Sequence, residues 1–163
     1  NLMSHRKHLD ETATFIAEIA VPDGVRDKGY YFAPVAYEIN DIDDLGREVF
    51  GPVLHIMRVK AENLDELISK INTTGYGLTR GVHSRLSSSM NEITRKARVG
   101  NAYVNRTMIG AVVGVQPFGG QGLSGTGRKV GGPHYLPRFA TEKLVSTDTA
   151  RCGGNAGLVS LKE

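Results

Sequence analysis

Nine of the chain's 20 glycines fall between Gly110 and Gly132, inside the stretch VNRTMIGAVVGVQPFGGQGLSGTGRKVGGPHYL of Val104–Leu136. Glycine loses more conformational freedom on ordering than any other residue, so a dense run is either floppy or exploits bare backbone. A flexible linker would be polar. Here Val112, Val113, Val115, Phe118, Leu123, Tyr135 and Leu136 interleave with the glycines. The stretch therefore reads as an ordered loop system in which backbone approaches a small ligand or another backbone.

The rest of the chain sets the frame for that loop. A length of 163 residues predicts one domain with room for a core. With 40% hydrophobic and 23% charged residues, the composition is that of an ordinary globular protein. No run of 18 apolar residues is present, which argues against a helical membrane span or direct membrane insertion. No signal-peptide pattern opens the sequence. The net charge of +3 is small and dispersed, so no nucleic-acid partner is expected. A single cysteine, Cys152, leaves no internal disulfide and suits a reducing, cytoplasmic compartment. The sequence opens Asn1-Leu2-Met3 inside an amphipathic pattern, which leads us to expect a piece of a longer polypeptide.

Periodicity orders the chain into alternating elements. Leu2, Leu9, Ala13, Phe15, Ile16 and Ile19 recur at roughly helical spacing through residues 1–20, and Pro22-Asp23-Gly24 ends that element. A strand is expected over Tyr31–Ile39, with Pro34 implying an edge or a bulge. A short helix over Asp41–Glu48 closes at Gly51-Pro52, and Val53–Val59 reads as a buried strand. Leu64–Ile71 reads as a helix with Asn63 as its N-cap, Gly75–His83 as a strand, and Ser87–Ala97 as a helix. Val99–Val104 is again a strand. Arg138–Thr147 reads as a helix start or, better, a late strand, and Thr149–Glu163 as irregular tail. This alternation predicts an α/β fold with a mostly parallel sheet. Ligands in such sheets lie beyond the carboxyl ends of strands, which singles out the loops Glu48–Pro52 and Thr107–Gly127.

Several motifs carry chemistry on those loops. Gly120-x-Gly122-x-x-Gly125 has the letters of a dinucleotide fingerprint, but Gly131-Gly132-Pro133 forbids the helix that should follow. Gly122–Lys129 misses a phosphate-binding P-loop, because Arg128 stands where lysine is required. The step Gly110-Ala111 offers small residues whose successive N–H groups can form an anion nest, although on spacing alone a plain tight turn is the favoured reading. Glu48 and Phe50 would point the same way if extended. A carboxylate accepts two hydroxyl hydrogen bonds from a diol, and a ring beside it packs on a flat heterocycle. A solvated glutamate and a core phenylalanine remain the plainer reading of that pair. His5 and His8 share a helix face, but two histidines fall short of a metal site, and no metal is expected. Arg128, Lys129 and Arg138 allow an anion- or nucleic-acid-binding loop, whose binding would depend steeply on salt.

Four segments in fixed order carry a resemblance. EVFGPVL at Glu48–Leu54, GYGLTRGVHS at Gly75–Ser84, GNAYVNR at Gly100–Arg106 and QPFGGQGLSGTG at Gln116–Gly127 resemble the C-terminal part of an aldehyde dehydrogenase. IGAVVGVQPFGGQGLSGTGRKVGGPHYL at Ile109–Leu136 resembles the branch that oxidises L-glutamate γ-semialdehyde, the open form of 1-pyrroline-5-carboxylate. RFATEKLVSTDTARCGGNAGL at Arg138–Leu158 resembles the tail of the bacterial proline utilisation A family.

The resemblance implies a partial catalytic domain over residues 1–137, with a mostly parallel three-layer sheet, and an oligomerisation strand and tail over residues 138–163. It implies NAD as cofactor, with the ribose-binding glutamate falling on Glu48 and the nicotinamide-side phenylalanine on Phe50. It places the substrate-anchoring loop on Gly110 and Ala111, whose N–H groups would hold the substrate carboxylate. Phe118 matches the ring that packs on the substrate's aliphatic part. The implied substrate is a small aldehyde carrying a carboxylate, and the implied assembly a homo-oligomer joined through Phe139–Val145. The family's cysteine nucleophile, general-base glutamate and oxyanion-hole asparagine match no residue here, and Cys152 aligns with none of them. No catalytic residue is therefore expected in this chain. A non-catalytic assembly module is the competing expectation. Arg128 stands where the resemblance leads us to expect proline.

Overall fold

The computed structural model describes residues 1–148. The expected irregular tail, Cys152 and most of the segment after Arg138 that was assigned to oligomerisation lie outside the described residues. The chain opens with helix α1 (Leu2–Thr12), strand β1 (Thr14–Glu18) and the short helix α2 (Asp23–Arg26). Strand β2 (Val35–Glu38), a 3-10 turn (Ile42–Leu45) and strand β3 (Val53–Ile56) follow. Next come a 3-10 turn (Ala61–Asn63), helix α3 (Leu64–Thr73), and strands β4 (Tyr76–Gly77) and β5 (Thr79–Val82). Helix α4 (Ser87–Lys96), strand β6 (Asn101–Val104), strand β7 (Gln121–Gly122) and a last 3-10 turn (Leu136–Phe139) complete it.

The α/β class is as expected, but the strands do not form one continuous sheet. They form three ladders among the described residues: β1-β2-β3, β4-β7 and β5-β6. The pairs β2-β3 and β5-β6 are parallel, whereas β1-β2 and β4-β7 are antiparallel. Each strand is only two to five residues long, so each ladder ends before it reaches the next.

The first 20 residues depart from the single helix expected of them. Ala13 is extended (φ −125°, ψ 167°), and Thr14, Phe15 and Ile16 leave the helix for a strand. β-Branched and aromatic side chains favour that choice, and pairing with β2 satisfies the backbone. β2 is consequently the central strand of its sheet. Pro34 precedes β2 rather than interrupting it, and its carbonyl accepts from the Ile19 N–H at 2.9 Å. The irregularity expected near Pro34 lies instead in β1, between Phe15 and Ala17. Proline without an N–H suits the flank of a strand better than its interior.

The core gathers where α1 crosses this sheet. Leu9 and Tyr37 have no exposed surface, and Val35 and Ile39 join them with Ala13, Phe32, Leu45, Val53 and Met57 packed around. The Tyr37 hydroxyl donates to Asp10 of α1, and the Phe15 ring meets Tyr37 edge-on at 5.9 Å. One turn before Asp10 on α1, Arg6 donates twice to Glu18 of β1, at 2.6 and 3.0 Å. α3 buries Ile68, and its Lys70 reaches Asp41 at 2.5 Å, tying α3 to the 3-10 turn before β3. The Asn63 side chain makes no capping bond; Asp65 and Glu66 instead place negative charge in the helix's first turn.

The late strand expected over Arg138–Thr147 does not form within the chain. Leu136–Phe139 is a 3-10 turn, and residues 140–147 pair with no strand among the described residues. A strand is defined by its partner, and this segment has none among the described residues. Leu144 and Val145 are 92% and 72% exposed on it.

Candidate functional site

The loop between the 3-10 turn at Ile42–Leu45 and β3 carries Glu48 and Phe50. Its conformation is set by α1. Leu2 lies so close to Gly51 that a Cβ there would come within 2.1 Å of the leucine Cδ2. Arg47 Nη2 donates to Asn1 Oδ1 at 3.3 Å, and His5 of α1 meets His55 of β3. Behind the loop lies a cavity of about 340 Å³, whose walls include Glu48, Val49, His55, Thr74 and Tyr76. Phe50 does not line it. The Phe50 ring is 82% exposed, so it is not the core phenylalanine of the plainer reading. The Glu48 side chain makes no hydrogen bond or ion pair among the described residues and is exposed. An unpaired carboxylate two residues from a bare ring keeps its lone pairs for a diol and its ring face for a flat heterocycle.

Gly110 and Ala111 lie on the loop that leaves the carboxyl end of β6. Gly110 has φ +84°, a conformation that residues with a Cβ rarely adopt, and open space surrounds its missing side chain. Neither the Gly110 nor the Ala111 N–H donates a hydrogen bond to any described residue, and both residues are exposed. Two adjacent free amide donors on a parallel strand's carboxyl end have the chemistry of an anion cradle. The start of this loop is fastened by Asn105, which has φ +52°. Its side chain donates to Ser84 O at 3.0 Å and accepts from Ser84 N at 2.9 Å. The Arg106 guanidinium lies 5.2 Å from the centre of the Tyr103 ring.

Phe118 is half-buried and exchanges two backbone hydrogen bonds with Val130, at 3.1 and 2.8 Å. The glycines beside it are there because backbone packs on backbone: a Cβ on Gly100 would come within 1.8 Å of Gly119 O. The glycine-rich run is thus ordered, and no α-helix follows Gly120–Gly125, in keeping with its exclusion as a dinucleotide loop. The cavity beside Glu48 does not include Gly110, Ala111 or Phe118; Tyr76 in its wall pairs with Gly122 of the glycine-rich loop. The sequence reading missed Asn101 and His55, and took Lys129 only as part of an anion-binding loop. Asn101 and Lys129 touch the backbone beside Phe118, and no spacing rule marks such contacts. His5 was noticed only for its proximity to His8, whereas its partner lies 50 residues away.

Among the described residues no group of three or more histidine, cysteine, aspartate or glutamate side chains could hold a metal, and no helix is long and apolar enough to cross a membrane. Burial lowers the pKa of Lys129 and of Arg80, neither of which has an acidic partner among the described residues.

Comparison with known proteins agrees with this fold. The aldehyde dehydrogenase family profile matches residues 4–145. The bifunctional protein PutA of Escherichia coli (strain K12) is 56% identical over 118 residues, which are 72% of this chain and 9% of that protein. The 1-pyrroline-5-carboxylate dehydrogenase of Oceanobacillus iheyensis is 42% identical over 123 residues, 73% of this chain and 23% of that one. A crystal structure of Bradyrhizobium japonicum proline utilization A superposes with a TM-score of 0.80 at 51% identity, covering 87% of this chain and 14% of that chain. A Thermus 1-pyrroline-5-carboxylate dehydrogenase with bound NAD superposes at 0.73 and 37% identity, covering 85% of this chain and 26% of that chain. The chain thus spans a small part of each relative's length.

Proposed function

This chain belongs to the aldehyde dehydrogenase family, and from that premise we propose that it is the substrate-anchoring part of an NAD-dependent dehydrogenase that oxidises L-glutamate γ-semialdehyde to L-glutamate in proline catabolism. The observation that carries the reading is the pair of exposed, unbonded N–H groups at Gly110 and Ala111. They are suited to grip the carboxylate of a short anionic aldehyde, because bare backbone lets a small ligand come close. Phe118 would cover the aliphatic carbons between carboxylate and aldehyde.

Glu48 and Phe50 would hold the cofactor, the carboxylate accepting from a ribose diol and the ring flanking the nicotinamide. NAD, when bound, accepts the hydride. The chain's own residues bind and orient, while the thiolate that attacks the aldehyde and the base that activates water belong to other polypeptide. In this reading the reaction takes place in the cytoplasm.

The test is absorbance of NADH with γ-semialdehyde as substrate. The complete gene product should reduce NAD, and the 163-residue chain alone should not. Failure of the complete protein to oxidise the semialdehyde refutes the substrate assignment; turnover by the isolated chain refutes the division of labour.

A second role rests on residues 140–147, whose Leu144 and Val145 project from a segment that pairs with no strand among the described residues. We infer that this segment joins the sheet of a second copy. Size-exclusion chromatography with and without residues 138–163 tests it: loss of the oligomer supports the role, and an unchanged elution volume removes it.

A further inference from the structure

We propose that Asn101 and Lys129 are positioning residues that fix the backbone on both sides of Phe118, and so set the ring against the substrate. The inference rests on the reading of Phe118 given above. The three residues Pro117, Phe118 and Gly119 are held at five backbone atoms. Asn101 Nδ2 donates to Pro117 O at 3.0 Å, and its Oδ1 accepts from Gly119 N at 3.2 Å. Phe118 itself exchanges both backbone bonds with Val130. The Lys129 ammonium donates to Gly119 O.

The chemistry of each residue is specific to this arrangement. Only one orientation of the Asn101 amide can donate to a carbonyl and accept from an N–H two residues on. Aspartate would lose the donor, and an apolar side chain would lose both bonds. Asn101 is itself fixed, because β6 pairs with β5 through Thr79. Lys129 is half-buried with no carboxylate partner among the described residues, so its ammonium is desolvated for a single carbonyl. A surface lysine has no reason to occupy such a position, and a clamp does. Gly100 completes the clamp from below, since its lack of a side chain is what lets Gly119 O approach. Phe118 therefore sits on a backbone braced by β6 on one side and Lys129–Val130 on the other.

The experiment uses the complete gene product carrying Asn101→Leu, Lys129→Met or Lys129→Arg. The KM for γ-semialdehyde should rise about tenfold or more in Asn101→Leu and Lys129→Met, since small misplacement of a substrate contact is costly. The KM for NAD should stay at its wild-type value, and Lys129→Arg should recover most of the loss. Amide hydrogen exchange at Gly119 should accelerate in Asn101→Leu. Lys129→Met keeps the side-chain volume, so it decides the matter where Asn101→Leu fails to fold. Wild-type KM values, or a parallel rise for semialdehyde and NAD together with a lowered Tm, overturn the proposal. If the wild-type protein oxidises no γ-semialdehyde, the proposed function falls; exchange at Gly119 then decides the clamp alone, and an unchanged rate overturns it.

Discussion

The imidazoles of His5 and His55 face each other with their Nε2 atoms 3.0 Å apart and their ring planes at 64°. One is on α1 and the other on β3, so the contact joins the first helix to the strand that follows the Glu48 loop. A neutral pair satisfies it with opposite tautomers, one Nε2–H donating and the other Nε2 accepting. Two protonated rings could not. Burial, and beyond it the neighbouring charge of His8 for His5 and of His5 for His55, lowers both pKa values below 6.5.

The sign of the pH dependence follows. Each histidine binds its proton less readily in the folded state, so the unfolded state takes up more protons as pH falls. The pair's contribution is intact above the ordinary histidine value and is lost as pH drops through the lowered folded values. Thermal unfolding of the complete protein should show Tm falling between about pH 7 and about pH 5. The fall should be shallower in His55→Gln, where only one imidazole is left to titrate. An identical pH profile in that variant counts against the assignment. Arg47 and Glu48 share the cavity wall with the pair, and Glu48→Gln controls for the charge of the carboxylate.

Gly110→Val tests the anion cradle. Its φ of +84° costs a residue with a Cβ about 1–2 kcal/mol locally, yet nothing lies within 4 Å for the new side chain to strike. Global stability should fall by no more than that local strain accounts for. A charge-assisted hydrogen bond of about 1.5–3 kcal/mol would be lost to the substrate. The KM for γ-semialdehyde should therefore rise roughly ten- to a hundredfold, with the KM for NAD unchanged. Steady-state kinetics with each substrate varied in turn separate the two.

Glu48→Ala makes the complementary prediction. With no partner among the described residues, the carboxylate supports none of their structure, so Tm should hold. The KM for NAD should rise about tenfold or more, as expected for loss of hydrogen bonds to a charged acceptor. An unchanged KM for NAD would remove Glu48 from the cofactor site.

Gly100→Ala should be the most damaging single methyl in the glycine-rich half. The new Cβ would stand 1.8 Å from Gly119 O, a backbone atom that cannot rotate away. Overpacking of this kind costs about 3 kcal/mol or more. Urea denaturation of the complete protein measures it. A loss below about 1 kcal/mol would mean that β6 and the Phe118 segment separate easily.

Leu9→Ala tests the core where α1 meets the sheet. Leu9 has no exposed surface, and its removal should cost about 2–5 kcal/mol. Tyr37→Phe keeps the ring and deletes only the bond to Asp10, so its cost should be nearer 1 kcal/mol. Equilibrium unfolding of both variants gives the ratio. The reverse order would place the weight of this contact on the hydroxyl rather than on packing.

The sequence by itself determined the local periods and the chemistry available at each loop. α3 and α4 are legible because apolar residues recur at 3.6, and β3 because branched side chains cluster. Glu48, Phe50, Gly110, Ala111 and Phe118 are singled out through the order and spacing of motifs, and their roles stand as proposals. What only the tertiary structure decided is which segments share hydrogen bonds. Residues 14–18 became a strand since β2 offered them partners, and residues 140–147 did not, since no strand among the described residues pairs with them. The same holds for His5 with His55 and for Asn101 with Gly119. Such contacts join positions far apart in the chain, and nothing local in either residue encodes the other.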